Sequence, residues 1–272
     1  MKKLSYLLVL AMCLFVVSAC SNQGGSGSSD KVQLKLNMEP GQVFKSRVST
    51  DQDIVTSAMG MDVTVKQSME FFTKMEVESV AEGGEPDATN PMAMGMAPMV
   101  NKSFTMILSE RGEVVDIQGF DKLLEAVEES MGVDMSGQPG LDAESMKKTM
   151  QSSMVMFPEV LVGEGDSWGA ESETAGQYAL SMQTTYEVEK VEADKIYLNV
   201  DGTLESAEGA EIPGGMGEME MEGTQGGTLV LDRKSGMPTS GELIQDVEGE
   251  VSAMGMSMPM TINSKITMGT YD

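Results

Sequence analysis

Histidine is missing from this 272-residue chain, cysteine occurs twice, and aromatic residues make up 5%. Without histidine there is no Ser-His-Asp relay and no Cys/His zinc site. Both cysteines, Cys13 and Cys20, lie in the first twenty residues. If that segment is processed as argued below, the remaining domain holds no disulfide and no thiol nucleophile. Carboxylate, lysine, tyrosine and serine remain for catalysis. Paired carboxylates can hydrolyse glycosides, but 43 acidic residues guarantee chance pairs and few aromatics are available to stack sugars. The expectation is that the protein is not an enzyme and carries no cofactor.

Cations are also scarce, 18 against 43 acids, for a net charge of −25. A surface of that sign repels nucleic acid and anionic lipid. No Asp-x-Asp-x-Asp-Gly loop of the EF-hand type is present, and Asp51-Gln52-Asp53 alone is a weak calcium signal. The simplest reading of the acidity is a solvated outer surface.

The N-terminus is the most specific segment. Lys2 and Lys3 precede an apolar run, residues 4–17, that closes on Val17-Ser18-Ala19-Cys20. This order is that of a signal peptide, and the run is shorter than the roughly 20 residues a membrane-spanning helix needs. Val17-Ser18-Ala19-Cys20 resembles the lipobox of bacterial lipoproteins, in which the cysteine becomes the acylated N-terminus. Residues 1–19 are therefore expected to be a signal peptide, Cys20 the lipidation site, and 20–30 a Gly/Ser tether. Cleavage removes two lysines and no acids, which takes the net charge from −25 to −27. Several acyl chains anchor a protein stably.

Residues 31–272 read as one acidic domain of mainly β structure with a minor α part. Expected strands cover 31–37, 44–54, 63–80, 103–109 and 114–117, then 177–191, 195–206, 227–232, 240–251 and 260–271, punctuated by Gly and Pro. Val63-Thr64-Val65 and Tyr186-Glu187-Val188-Glu189 alternate as a sheet with one wet face requires. Phe120, Leu123, Leu124, Val127 and Met131 recur at helical spacing, as do Met146, Met150, Met154 and Phe157, with Asp142 a candidate N-cap and Pro158 a stop. Residues 81–98 and 207–227, rich in Gly and Glu, read as mobile loops. A repeat at constant offset of 124 residues aligns Pro40-Gly41-Gln42-Val43-Phe44 with Glu164-Gly165-Asp166-Ser167-Trp168, and Phe104 to Leu108 plus Gly112 with Thr228 to Asp232 plus Gly236. The expected fold is a curved antiparallel sheet or half-barrel with two related halves, about 31–119 and 159–272, packed against a central helix pair at about 120–158.

Glu39-Pro40-Gly41-Gln42-Val43-Phe44, Asn101 to Met106, Ser109-Glu110-Arg111-Gly112-Glu113-Val114, Val162 to Trp168 and Met258-Pro259-Met260-Thr261-Ile262 resemble an uncharacterised lipoprotein family, common among Bacteroidetes, that carries one domain of unknown function. That resemblance covers nearly the whole mature chain and transfers no catalytic residue. The coarse architecture also looks like the half-barrel of periplasmic lipoprotein carriers, an analogy of fold alone. It implies an apolar interior, for which Phe44, Phe104, Leu123, Val127, Met150, Phe157 and Trp168 are the candidates. Ser21 after the lipidated cysteine implies the outer membrane as destination.

Twenty-eight methionines remain to be explained. Thioethers suit Cu(I), and Met254, Met256, Met258 and Met260 form the candidate set for a Cu(I) or Ag(I) site. Methionine also fills irregular cores and lines adaptable apolar surfaces, the favoured reading. The expected role is a non-catalytic, lipid-anchored envelope protein that binds or carries a hydrophobic molecule. Metal binding or a structural scaffold contacting envelope proteins are the alternatives.

Overall fold

The computed structural model describes residues 31–58, 61–79, 91–94, 104–131, 142–175, 179–207, 217–253 and 256–271. The expected signal peptide, Cys20, the expected tether and Met254 lie outside these residues.

Strands β1 (Val43–Ala58), β2 (Met61–Glu76), β3 (Pro91–Met94), β4 (Phe104–Leu108) and β5 (Val114–Gln118) lead into helices α1 (Phe120–Met131) and α2 (Ala143–Ser152). Six strands follow: β6 (Ser167–Glu173), β7 (Leu180–Val191), β8 (Lys195–Ser206), β9 (Gly217–Asp232), β10 (Pro238–Ala253) and β11 (Met256–Thr270). All eleven form one antiparallel sheet in the order β5-β4-β3-β2-β1-β11-β10-β9-β8-β7-β6. The sheet is curved and open, mainly β with two helices, as its alternating sequences imply.

This order leaves the sheet with two edges. Each strand pairs with its chain neighbour and β1 pairs with β11, so among the described strands only β5 and β6 lack a second partner. Ten antiparallel steps separate them, so they run parallel, and parallel neighbours need a long crossover connection, usually helical. The helices supply it. Gln151 of α2 accepts from the backbone N–H of Val114 at 2.7 Å, while Lys148 pairs with Glu173 of β6 at 3.0 Å. The same helix thus covers both exposed edges, which would otherwise template pairing with other chains. Asp142 caps it, accepting from Ser145 N–H at 2.9 Å and Ser145 Oγ at 2.7 Å. The backbone bond from Ser145 holds the Asp142 carboxyl below its usual range.

The 124-residue repeat is visible as a shared turn. Gly41 and Gly165 both have positive φ, 84° and 83°, and no Cβ tolerates that region cheaply. Gln42 Oε1 accepts from the N–H of Glu39, and Asp166 Oδ2 from that of Gly163. Gly41 N–H reaches Val77 O as Gly165 N–H reaches Val188 O, each at or near the end of the next strand.

Several sequence expectations need correction. Residues 31–37 are not a strand. They make one bridge, Val32 to Val162, and cross the end of the sheet, burying Leu34 and Leu36 while Leu36 N–H and Asn37 N–H bond the turn carbonyls of Glu110 and Ser235. Of the expected loop 207–227, residues 217–227 belong to β9, because Met219 and Met221 are buried while Glu220 and Glu222 face solvent, a period of two. Pro91–Met94 is likewise a strand, and the expectation for 81–98 falls otherwise outside the described residues. Strand β6 has no counterpart among the expected strands. Helix α2 stops at Ser152, short of Pro158, because Ser153 folds its N–H and hydroxyl back onto Met150 O. Met154 and Phe157 therefore lie beyond it, where Phe157 N–H bonds Arg111 O at 2.9 Å.

The main core sits at the end of the sheet bearing the helices. Phe120, Phe157, Met106, Leu198, Leu231, Val114 and Val188 are its most completely buried side chains. A second cluster, Met182, Leu204, Met219, Met221 and Val247, lies towards the hairpin tips, the far end of the sheet.

Candidate functional site

Strand register assigns every residue to a face. Even positions of β1 and β11 and odd positions of β2, β9 and β10 line up on the face that carries both apolar clusters. On β8 the inward residues are Ile196, Leu198, Val200, Gly202, Leu204 and Ser206, and on β7 Leu180, Met182, Thr184, Tyr186 and Val188. No inward position of β1, β2 or β6–β11 carries a charge. The charge lies outside, as in the row Glu205–Glu222–Glu248, where three carboxylates oppose each other on adjacent strands. Like charges so placed are destabilising, and they hydrate the outer surface.

The inner face divides into three zones. At the helix end it is filled core. At the far end it is apolar but partly open: Met61 is 68% exposed, Val63 58% and Val65 49%, although all three face inward on β2. Further along the same face stand the buried Met182, Met219 and Met221, with half-buried Met258, Met260 and Ile262 between. Met221 leans over Gly249, which stands between it and Met260 in the register. A Cβ on Gly249 would lie 2.1 Å from Glu220 O and 2.9 Å from Met221 Cγ, so the position has room for neither a side chain nor a shift of the methionine.

Between the zones runs one polar row, Gln67–Gln52–Ser264–Gln245–Gln225–Gly202–Gln183's neighbour Thr184, in register across seven strands. Gln67 Nε2 donates to Gln52 Oε1, and Gln52 Nε2 to Ser264 Oγ at 3.0 Å. From the neighbouring strand, Gln245 Nε2 donates to Gln225 Oε1 at 3.3 Å, and Gln225 Nε2 to Thr184 Oγ1 at 2.7 Å. Gln225 reaches β7 by crossing Gly202 of β8, whose absent Cβ would sit 3.0 Å from its Nε2. No hydrogen bond among the described residues joins Ser264 to Gln245. The row is broken there, and both runs donate in the same sense along it, towards β7.

The expected interior residues scatter. Phe104, Leu123, Met150 and Phe157 are buried in the main core, and Phe104 meets Phe120 edge-to-face at 5.9 Å. They fill the space between sheet and helices. Trp168 is half-buried, stacks on Tyr186 at 5.4 Å, and donates Nε1–H to Met156 O at 2.6 Å. Phe44 is half-buried and paired with Met75. Val127 lies on α1, its side chain not described. Of the candidate metal ligands, Met258 and Met260 lie together on the inner face; Met256 lies on β11, its side chain not described, and Met254 is outside the described residues.

Sequence reasoning misses the polar row. Each of its glutamines stands in phase with inward apolar residues, Gln52 two before Ile54 and Gln245 between Leu243 and Val247. That mismatch is the available signal. Beside the row, Tyr186 is buried with no hydrogen-bond partner for its hydroxyl among the described residues, and burial pushes its pKa up to about 12.

Three shallow concavities, about 630, 510 and 820 Å³, lie along the outer face of β7–β11, lined by residues such as Glu205, Glu222, Asp246 and Glu248. Among the described residues no three acidic side chains converge as a cation site, and no helix is long and apolar enough to cross a membrane.

The model of a family of unknown function, DUF6263, matches residues 56–238. No curated protein matches the chain. Among solved structures, the crystal structure of the COG4313 outer membrane channel from Pseudomonas putida F1 is similar over 87% of this chain and 97% of that one, at 8% identity and a TM-score of 0.24, too low to carry an argument.

Proposed function

The chain belongs to DUF6263, a family of unknown function, and from the geometry of its inner face we propose that it is a non-catalytic protein of the cell envelope, anchored by lipid at Cys20, that binds a hydrophobic molecule at the far end of that face. One observation carries this. Inward side chains Met61, Val63 and Val65 remain about half or more exposed on a face that is buried and methionine-rich further along, on β7 to β10. Uncovered apolar surface of this kind marks an interaction site, and methionine suits an occupant of variable shape. The main core is already filled, so the ligand surface lies away from the residues that size alone singles out. The uncharged inner face disfavours an ionic ligand, since an unpaired buried charge is costly.

Native mass spectrometry of the protein from its host envelope, followed by organic extraction and metal analysis of the same sample, tests the reading. Stoichiometric lipid supports it. An empty, monodisperse protein sinks it as a constitutive binder. A Val65→Asp variant, altered where the side chain is exposed, keeps its fold and loses the ligand.

A second reading rests on Met221 lying across Gly249 beside Met260, with Met219 and Met258 one inward step further along the same strands. Such thioethers would take Cu(I). Stoichiometric copper in that sample would replace the lipid reading.

A further inference from the structure

We propose that the break in the polar row between β10 and β11 is the seat for the headgroup of an uncharged, hydroxyl-bearing amphiphile of the monoacylglycerol type, with its acyl chain lying along the far-end apolar face. This inference rests on the hydrophobic-ligand reading above and narrows it to one chemical class.

In the run from β2, Ser264 Oγ accepts from Gln52 and its own O–H has no acceptor among the described residues. In the run from β10, Gln245 spends its Nε2 on Gln225, and its Oε1 has no donor among them. The two residues are direct partners in the strand register. One free donor and one free acceptor therefore stand at the same level on adjacent strands, and Ser264 is only 4% exposed. Buried polar groups left unmatched are costly. A hydroxyl both donates and accepts, so one such group satisfies both ends. An ester offers acceptors alone, and a carboxylate offers acceptors plus a charge that no residue of the inner face can balance.

The flanks fit the rest of the molecule. One inward step towards the hairpin tips, Val247 and Ile262 are paired; beyond them come Gly249 with Met260, then Val251 with Met258. From Ser264 to Met258 the strand advances roughly 20 Å at about 3.4 Å per residue, a run suited to a long acyl chain. Neither β10 nor β11 places a charge on that path.

The test uses full-length protein and displacement of Nile red by monopalmitin, palmitate and methyl palmitate, three ligands with one chain and different heads. Monopalmitin is expected to bind at least about tenfold more tightly than the other two, the order of effect of losing a matched buried hydrogen bond. Ser264→Ala and Gln245→Leu should each reduce monopalmitin to the level of the methyl ester while leaving the methyl ester unchanged. Ser264→Ala removes one hydroxyl from a strand and decides the matter if the leucine variant does not fold. Equal binding of all three ligands overturns the headgroup seat and leaves the hydrophobic-ligand reading standing. A preference that persists in both variants overturns the location. No displacement by any ligand overturns the seat together with the reading on which it rests.

Discussion

Two glycines at equivalent points of the repeat carry different burdens from two others, and the contrast can be measured. Gly41, Gly165, Gly112 and Gly236 all have φ between 76° and 84°. Around Gly41 and Gly165 nothing lies within 4 Å of a would-be Cβ, whereas at Gly112 it would meet Val155 O at 2.2 Å and at Gly236 Lys35 O at 2.3 Å. Alanine at Gly41 thus incurs only the left-handed backbone cost, about 1–2 kcal/mol, partly offset by a less flexible unfolded chain. Alanine at Gly236 must also displace the backbone of residues 34–37, where Leu34 and Leu36 are seated in the core and Leu36 N–H holds Glu110 O at 2.7 Å. Forcing an extra carbon into such packing adds about 1–3 kcal/mol. Urea unfolding of the protein should place Gly41→Ala about 1 kcal/mol below the parent and Gly236→Ala about 3 kcal/mol below, with Gly112→Ala close to the latter; melting points should fall by roughly 2–4 °C per kcal/mol. If Gly41→Ala and Gly236→Ala agree within about 0.5 kcal/mol, the crossing segment does not dock as described.

Tyr186 gives a pH prediction. Its pKa rises to about 12 when folded, from the ordinary tyrosine value of 10.0, through burial alone, so its contribution is fully present below pH 10 and is lost as the pH rises towards 12; Tyr186→Phe should flatten that loss in alkaline unfolding curves and leave neutral stability equal or slightly higher. Gln151→Ala uncovers the Val114 N–H at the β5 edge, at a cost of about 1–3 kcal/mol, and an unchanged unfolding midpoint would refute the edge-covering role. Sodium chloride should raise the melting temperature, because it screens rows such as Glu205–Glu222–Glu248; a fall would show that cross-strand ion pairs such as Lys265–Glu242 outweigh the repulsion.

Strands are legible where inward residues are large. Tyr186, Val188, Ile196 and Leu198 announce β7 and β8 by period two, and the stripes announce both helices. The first part of strand β9, residues 217–227, is hidden because its inward positions mix methionine with glycine. Gly223 and Gly227, the inward neighbours of Gln225 on either side, make the segment read as a loop, although they are there because adjacent strand backbone leaves no room for a Cβ at either position. Strand β6 is hidden because Trp168 is its one large inward residue, and the rest of Ser167–Glu173 is small or acidic. For the proposed site, the methionine clusters point to the far end of the inner face, whereas Phe104, Leu123, Met150 and Phe157 lie in the core. Large aromatic and branched side chains are what a core consumes first, so a choice made on size finds packing before it finds an open surface.

Pairing, more than composition, is what makes the polar row visible. Gln52 and Gln67 lie equally far from the tip of the β1–β2 hairpin, and Gln245 and Ser264 equally far from that of β10–β11. Each hairpin thus delivers two polar residues to one level of the inner face. Once β1 pairs with β11, the two levels become one row. Eleven antiparallel strands leave β5 and β6 parallel and unpaired, so the sheet opens at its helix-covered edges while the row crosses its uninterrupted middle. The break in hydrogen bonding falls between Gln245 and Ser264, inside an intact stretch of paired backbone, and so reflects the side chains alone. The headgroup variants alter those side chains and no backbone pairing, which is why they are expected to change affinity and leave the fold intact.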